Sequence, residues 1–222
     1  MKVKIKKLNE GAIVPSYSKQ GDAGMDLTAI SISKDNVDNM TKIINLIGSP
    51  GTGKSTVASE LFAKMKWMGY DVELVSEYAK ELVWEERNET MKNELYLFAK
   101  QHHRLFRLNG KVKYIITDRP LILSLFYNQK YGDKSEIFNQ IVLHEVNKFD
   151  NINIFLNRTK PYISKGRNQT EEESNEFAIE MKELINNSST IDLSIDSVKD
   201  LTSKRIIEYI HEKEVLDNRT IL

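Results

Sequence analysis

The chain has 222 residues, about one and a half times a common domain length, so one domain with an appendage is expected. Hydrophobic residues make up 40% and charged residues 29%, which is ordinary for a globular protein and excludes a disordered chain. Basic and acidic side chains both number 32, so no global field attracts nucleic acid or anionic lipid, and a nucleic-acid partner is not expected.

Cysteine usage and hydropathy limit the compartment and the chemistry. The chain contains no cysteine, which excludes a disulfide scaffold, a thiolate metal site and a cysteine nucleophile. No uncharged apolar run approaches the roughly 18 residues of a membrane-spanning helix. Residues Met1–Lys7 alternate lysine with valine and isoleucine, unlike the apolar core of a signal peptide. We therefore expect a cytoplasmic protein with no membrane segment.

The sequence pattern changes near residue 40. Residues 1–39 scatter turn formers among short alternating stretches, which predicts a small β-like appendage. From residue 40 to residue 222, apolar β-type runs alternate with longer segments of helical period, the pattern of an α/β domain with a parallel sheet. The predicted strands are Ile43–Ile47, Val72–Val75, Val112–Thr117, Ile152–Leu156 and Ile191–Ile195.

Helical periodicity recurs between the predicted strands. The first helix lies between the first two strands and ends before Gly69, where a left-handed residue suits a helix C-terminus. Thr170 followed by Glu173 has the spacing of a capping box. The other predicted helices are Thr90–Asn109, Ser135–Lys148, Thr170–Asn186 and Ser197–Lys213.

The strongest chemical signal is a phosphate-binding loop that follows the first strand. Residues 48–55 satisfy the pattern G-x-x-x-x-G-K-[ST] between a strand and an amphipathic helix, so backbone N–H groups converge on an anion-sized space. Lys54 is expected to reach the outer phosphates of ATP, and the Ser55 hydroxyl to ligate Mg²⁺. The alternative is a glycine-rich turn that binds nothing. The predicted nucleotide-binding residues are Gly48, Ser49, Pro50, Gly51, Thr52, Gly53, Lys54, Ser55 and Thr56.

Acidic residues follow the second and third strands. Asp118, after the third strand, is expected to hold a metal-bound water, although an Asp before Pro120 also suits a helix N-cap. Arg119 offers a cation for a transferred or accepting phosphate. Glu77, after the second strand, could accept the proton of an attacking hydroxyl, or could be a first-turn residue favoured by the helix dipole.

Two further polar groups are candidates for substrate contacts. Gln101 and Arg104 share one stripe of the long predicted helix, so a base edge and an anion are possible ligands, and a solvated polar face is the alternative. The segment 157–169 after the fourth strand carries four cations and no acid. It predicts a lid whose Arg158 and Arg167 close over a triphosphate, with an exposed basic loop as the alternative.

From Met40 onward, these motifs together resemble those of P-loop nucleoside and nucleotide kinases, and more closely the small AAA-type kinase-like domains of phage genomes. The resemblance implies a five-stranded parallel sheet in the order 2-3-1-4-5, flanked by helices. Gln101 lies where deoxynucleoside kinases place a base-reading glutamine. The segment Glu77–Glu81 also resembles the ribosylnicotinamide kinase domain of bacterial NAD regulators.

The first 30 residues resemble a different family, the trimeric dUTPases. Pro15, Tyr17 and the segment Gly21–Leu27 match the first motif region of that family. The later dUTPase motifs do not follow, so we expect no dUTP hydrolysis. We interpret residues 1–39 as a fusion scar, and a substrate-sensing arm is the alternative.

The kinase resemblance implies a Mg-ATP-dependent phosphotransferase acting on a nucleoside or nucleoside monophosphate. A 5′-polynucleotide kinase and an ATP-driven switch or binding module remain as alternatives, and a homodimer is implied by the family. The expected catalytic residues are Lys54, Glu77, Asp118, Arg119, Arg158 and Arg167. The expected magnesium ligands are Ser55 and Asp118, and the expected substrate contacts are Glu77, Gln101, Arg104 and Arg119.

Overall fold

The structure is a computed structural model that describes residues 41–164 and 169–219. The chain divides into two units between Asn39 and Met40, and all described residues belong to the second unit. The predicted appendage over residues 1–39 lies outside the described residues and stays a prediction.

A single five-stranded sheet forms the centre of the described domain. All neighbouring strands pair in parallel, in the order β2-β3-β1-β4-β5, which confirms the predicted α/β class and sheet order. Parallel pairing brings the carboxyl ends of the strands to one edge, where ligands bind in open α/β sheets. The strands are β1 (Lys42–Ile47), β2 (Val72–Val75), β3 (Tyr114–Thr117), β4 (Asp150–Asn157) and β5 (Leu193–Asp196).

Helices connect successive strands and cover both faces of the sheet. None of the helices in the described ranges is long and apolar enough to cross a membrane. The helices are α1 (Lys54–Trp67), α2 (Ala79–Trp84), α3 (Asn88–Met91), α4 (Glu94–Phe106), α5 (Leu123–Tyr131), α6 (Glu136–Val146), α7 (Glu171–Ser188) and α8 (Leu201–Arg219).

The core is split by the sheet into two apolar clusters. Ile43 and Ile47 of β1 point into the cluster formed with α4, α5, α6 and α7. Ile44 and Leu46, which alternate with them, point into the cluster formed with α1 and α8. Both faces of this central strand are covered. Its buried residues are therefore apolar except for Asn45, and the strand shows no alternation of apolar and polar residues.

The helices after β2 differ from the sequence prediction. The predicted helix Thr90–Asn109 is broken into α3 and α4, because the Asn93 side chain accepts a hydrogen bond of 3.0 Å from the Tyr96 N–H and caps a new helix. The helices α2 and α5 were not predicted. α2 has only six residues. α5 is buried over its first four residues and exposed over its last three, so its sequence shows no clear helical stripe.

The predicted capping box at the start of α7 is confirmed. The Thr170 hydroxyl accepts a hydrogen bond of 3.2 Å from the Glu173 N–H, and the Glu173 carboxylate accepts one of 2.7 Å from the Thr170 N–H. These bonds satisfy two backbone donors and fix where α7 begins.

Thr170→Ala is expected to lower the free energy of unfolding by about 1 kcal/mol, the usual cost of losing a side-chain N-cap. Urea denaturation followed by circular dichroism measures the change. Glu176→Gln, at an exposed position one turn later, is the control and is expected to change stability little. Equal effects of the two variants would contradict the capping role.

Candidate active site

The phosphate loop occupies the turn between β1 and α1. A Cβ atom on Gly48 would lie 2.9 Å from Thr52 Oγ1 and 3.0 Å from the Leu156 carbonyl oxygen, so a larger residue would displace the loop from β4. Gly53 precedes the first residue of α1 and has a φ of 89°, a left-handed value that favours glycine. The strand, the turn and the helix therefore have the arrangement that the sequence predicts.

Internal hydrogen bonds hold the loop in shape. Lys54 Nζ donates to the carbonyl oxygens of Gly48, at 2.7 Å, and Ser49, at 3.2 Å. The Thr52 hydroxyl donates to the same Ser49 carbonyl at 2.9 Å. Ser49 and Thr52 are buried, so they support the loop from behind and do not line the cavity in front of it.

A cavity of about 800 Å³ opens in front of the loop at the carboxyl edge of the sheet. Its volume lies in the range of small-molecule sites. The loop residues Pro50, Gly51, Gly53, Lys54, Ser55 and Thr56 line part of it. The same cavity is lined by the predicted residues Glu77, Asp118 and Arg119, so the structure brings these groups together with the phosphate loop.

Asp118 links the ends of β2 and β3. Its carboxylate accepts a hydrogen bond of 2.9 Å from the Glu77 N–H. Burial raises the pKa of the Asp118 carboxyl above its ordinary value, the nearby Glu77 carboxylate adds to the shift, and Lys54 opposes it. A desolvated carboxylate of this kind gains from a cation, and the metal role of Asp118 stays a prediction.

Arg119 is 6% exposed and lies among acidic and aromatic groups. Its Nη2 donates to Glu94 Oε1 at 3.0 Å, its Nε lies 3.8 Å from Glu77 Oε1, and its guanidinium lies 4.1 Å from the centre of the Tyr127 ring. Burial raises the pKa of Glu94, although the charge of Arg119 opposes that shift. Arg119 therefore holds two carboxylates at the cavity wall, and its predicted contact with a phosphate stays a prediction.

Gln101 and Arg104 lie together, as their shared stripe predicts. Gln101 Oε1 accepts a hydrogen bond of 3.0 Å from the Tyr78 N–H, and both side chains donate to the Ser76 carbonyl at 3.4 Å. Neither residue is among those that line the cavity. They brace the backbone that carries Glu77, which favours a positioning role. The predicted role of Gln101 in reading a base stays untested.

The segment after β4 places Arg158 beside the phosphate loop, with its Cδ 3.9 Å from the position of a Cβ atom on Gly51, although Arg158 is not among the residues that line the cavity. Arg158 Nη1 donates to Glu171 Oε1 at 2.7 Å, its Nη2 donates to Asn175, and its guanidinium lies 5.4 Å from the centre of the Tyr162 ring. Arg167 lies outside the described residues. The predicted contact of these two lid arginines with a triphosphate stays a prediction.

Sequence reasoning missed several residues that line the cavity. Lys80 and Trp84 belong to α2, a helix that was not predicted. Glu94 was not recognised as a site residue because the sequence predicted one helix over Thr90–Asn109, which placed Glu94 inside the helix and not at its start. The Asn93–Glu94 pair, an N-cap residue followed by an acidic first turn, was the signal that could have revealed it. Tyr127 lies on α5, and no local signal pointed to it.

The fold and the loop motif define a P-loop α/β domain with a five-stranded parallel sheet. A family model described as an AAA domain matches residues 43–199, and the chain belongs to this family.

Two solved structures of the NadR protein share the fold. The first, in complex with NR, has a TM-score of 0.56 and 18% sequence identity, over 78% of this chain and 51% of that one. The second, in complex with NAD and AMP-PNP, has a TM-score of 0.54 and 17% identity, over 78% of this chain and 49% of that one. The chain thus spans about half the length of these proteins.

A short segment resembles a dUTPase. It is 58% identical over 36 residues to the deoxyuridine 5′-triphosphate nucleotidohydrolase of Trichodesmium erythraeum strain IMS101. The match covers 16% of this chain and 25% of that protein, so the chain spans only a quarter of this relative.

Asp118→Asn is expected to raise the thermal unfolding midpoint of the metal-free protein at neutral pH. Because folding raises the pKa of Asp118, its ionisation destabilises the folded state once the pH exceeds the unfolded value of about 4. The advantage of asparagine should vanish below that pH and grow as the pH rises through the folded pKa. Thermal melts in EDTA across this range test it, and a difference independent of pH would contradict it.

Proposed function

We propose that the chain transfers the γ-phosphoryl group of Mg-ATP to a nucleoside or nucleoside monophosphate. The observation that carries this proposal is one cavity of about 800 Å³ that is lined both by the phosphate loop and by carboxylate, aromatic and apolar groups. A donor at the loop and an acceptor beyond it can occupy this cavity together, which is the arrangement that phosphoryl transfer needs.

The nucleotide end supplies cations and hydroxyl groups. Lys54 and the N–H groups of the loop would bind the β and γ phosphates, with Lys54 exchanging its bonds to the loop carbonyls for phosphate oxygens. Ser55 and Asp118 line the same cavity and offer oxygen ligands, which suit Mg²⁺. Bound magnesium would supply charge neutralisation at the phosphates. Among the described residues, no group of three or more His, Asp or Glu side chains could hold a metal alone.

The acceptor end favours a ligand that carries hydroxyl groups and a flat ring. Glu77 and Glu94 offer carboxylate oxygens that accept hydrogen bonds from hydroxyl groups, while Trp84 and Tyr127 offer aromatic surface. The Arg119 charge is already shared by two carboxylates. Lys80 and Lys92 also line the cavity and could bind a phosphate, so both a nucleoside and a nucleoside monophosphate fit this end.

Glu77 is the group best placed to act on the attacking hydroxyl. Its carboxylate lies at the cavity wall and its N–H binds Asp118, so the acceptor side and the phosphate side of the cavity are joined through one residue. In the proposed reaction the acceptor oxygen bonds to the γ-phosphorus, the bond from that phosphorus to the β–γ bridging oxygen breaks, and Glu77 takes the hydroxyl proton. With a nucleoside, ADP and a phosphate monoester are the products. With a nucleoside monophosphate, a phosphate oxygen attacks in place of the hydroxyl, and ADP and a nucleoside diphosphate are the products.

The ATP-driven switch remains the second candidate because the chain belongs to an AAA domain family. Such ATPases need an acidic residue that orients water, and Arg119 stands at the position next to Asp118. The balanced net charge argues against a 5′-polynucleotide kinase, which needs a basic track for its strand.

Lys54→Ala is expected to lower phosphoryl transfer by about a hundredfold, as happens when one preorganised charge-stabilising donor is removed. Steady-state ADP release with saturating acceptor measures the loss. Lys66→Ala changes an exposed lysine of the same helix, paired with Glu73, and is the matched control with unchanged turnover. Equal turnover in Lys54→Ala and the wild type would place catalysis elsewhere.

ADP release from Mg-ATP is expected to be slow alone and to rise when the correct nucleoside is added. A panel of nucleosides, ribosylnicotinamide, nucleoside monophosphates and 5′-hydroxyl oligonucleotides identifies the acceptor class. Glu77→Gln should lower the stimulated rate by about a hundredfold and leave the slow basal rate unchanged in order of magnitude, because the lost base acts only on the acceptor. Fast release that is stimulated only by DNA or by a protein would favour the switch.

A further inference from the structure

The first turn of α7 reaches across the sheet edge to the phosphate loop. Ser174 is completely buried, and its hydroxyl lies 2.6 Å from the Pro50 carbonyl oxygen and 3.1 Å from the Ser49 hydroxyl oxygen. A carbonyl can only accept, so the Ser174 proton goes to Pro50, and the Ser49 hydroxyl donates to Ser174. Both bonds join residues more than 120 positions apart in the sequence, and they link α7 to the phosphate loop.

The bond to Pro50 fixes the orientation of one peptide group. The peptide between Pro50 and Gly51 is trans and planar, so its N–H points opposite to its C=O. When Ser174 holds the carbonyl on the α7 side of the loop, the Gly51 N–H is turned to the opposite side. Pro50 and Gly51 both line the cavity, so the Gly51 N–H can reach a phosphate bound in it.

The local sequence favours this orientation but does not lock it. The Thr52 N–H donates to the Ser49 carbonyl at 3.3 Å and closes a turn, and Pro50 followed by Gly51 at a positive φ is the pattern of a type II turn. Gly51 has a φ of 86°, and glycine adopts conformations on both sides of φ = 0 at similar cost, so this peptide can rotate. Rotation by half a turn would present a carbonyl oxygen to the phosphates where the N–H now stands. A partial negative charge facing an anion opposes binding, so the orientation matters to affinity.

We propose that Ser174 is a positioning residue of the nucleotide site, which aims the Gly51 N–H at the phosphates by binding the Pro50 carbonyl. This inference rests on the proposed use of the loop as a phosphate site. It assigns to α7 a direct part in nucleotide affinity, in addition to its place in the core.

Ser174→Ala is expected to weaken ADP binding about fivefold, the equivalent of one buried hydrogen bond, as measured by isothermal titration calorimetry. Inorganic pyrophosphate should lose affinity by the same factor, because the lost donor faces phosphate. In turnover, the KM for ATP should rise by a similar factor while the KM for the acceptor stays unchanged. Ser174→Cys keeps the volume but donates weakly, so it should show the same selective loss if the alanine variant does not fold.

Ser203→Ala is the matched control. Ser203 is also completely buried and binds Glu60, which joins α8 to α1 away from the loop tip. It should lose stability with no change in ADP affinity. Folded Ser174 variants that bind ADP within about twofold of the wild type, or an equal loss in Ser203→Ala, would overturn the proposal.

The calorimetry separates this inference from the proposed function, because ADP binding needs no acceptor. A wild-type protein that binds ADP but phosphorylates no acceptor would contradict the proposed function only. A wild-type protein that binds neither ADP nor pyrophosphate would contradict both.

Discussion

The buried ion pair between Arg119 and Glu94 is the contact on which the cavity wall beyond the phosphate loop depends. It joins the end of β3 to the first turn of α4, and both side chains are 8% exposed. Removing one partner of such a pair commonly costs about 3–5 kcal/mol, because the other charge is left buried and unpaired. Since Arg119 also approaches Glu77 and covers the Tyr127 ring, one guanidinium fixes groups from three elements of the cavity wall.

The parallel sheet positions the other groups of the cavity wall. The phosphate loop, Glu77 and Asp118 follow β1, β2 and β3, and adjacent parallel strands bring their carboxyl ends together. The price is electrostatic: burial raises the pKa of both Asp118 and Glu94, so the site holds carboxylates whose charged forms would be more stable in water. A cation at Asp118 and hydroxyl donors at Glu94 would relieve this cost, which is typical of sites built for ligands.

The sequence predicted the features that arise from local patterns. The glycine-rich motif, the apolar runs of the strands and the Thr170 capping box are each encoded within a few neighbouring residues, and the structure has all three. Contacts between distant residues were beyond that reasoning. Arg119 meets Glu94 across 25 positions, and Gln101 meets Tyr78 across 23. The predicted stripe placed Gln101 beside Arg104 correctly, but only packing against β2 shows that both face the backbone near Glu77.

The fate of the γ-phosphoryl group tests the central claim most directly. Phosphorus NMR of a complete reaction with Mg-ATP and a stimulating nucleoside follows that group from ATP to its product. A cavity that positions an acceptor hydroxyl beside Glu77 predicts that nearly all of it is recovered as a phosphate monoester of the nucleoside, with ADP in equal amount. Recovery as inorganic phosphate, with the nucleoside unchanged, would show that water is the acceptor and would contradict the account.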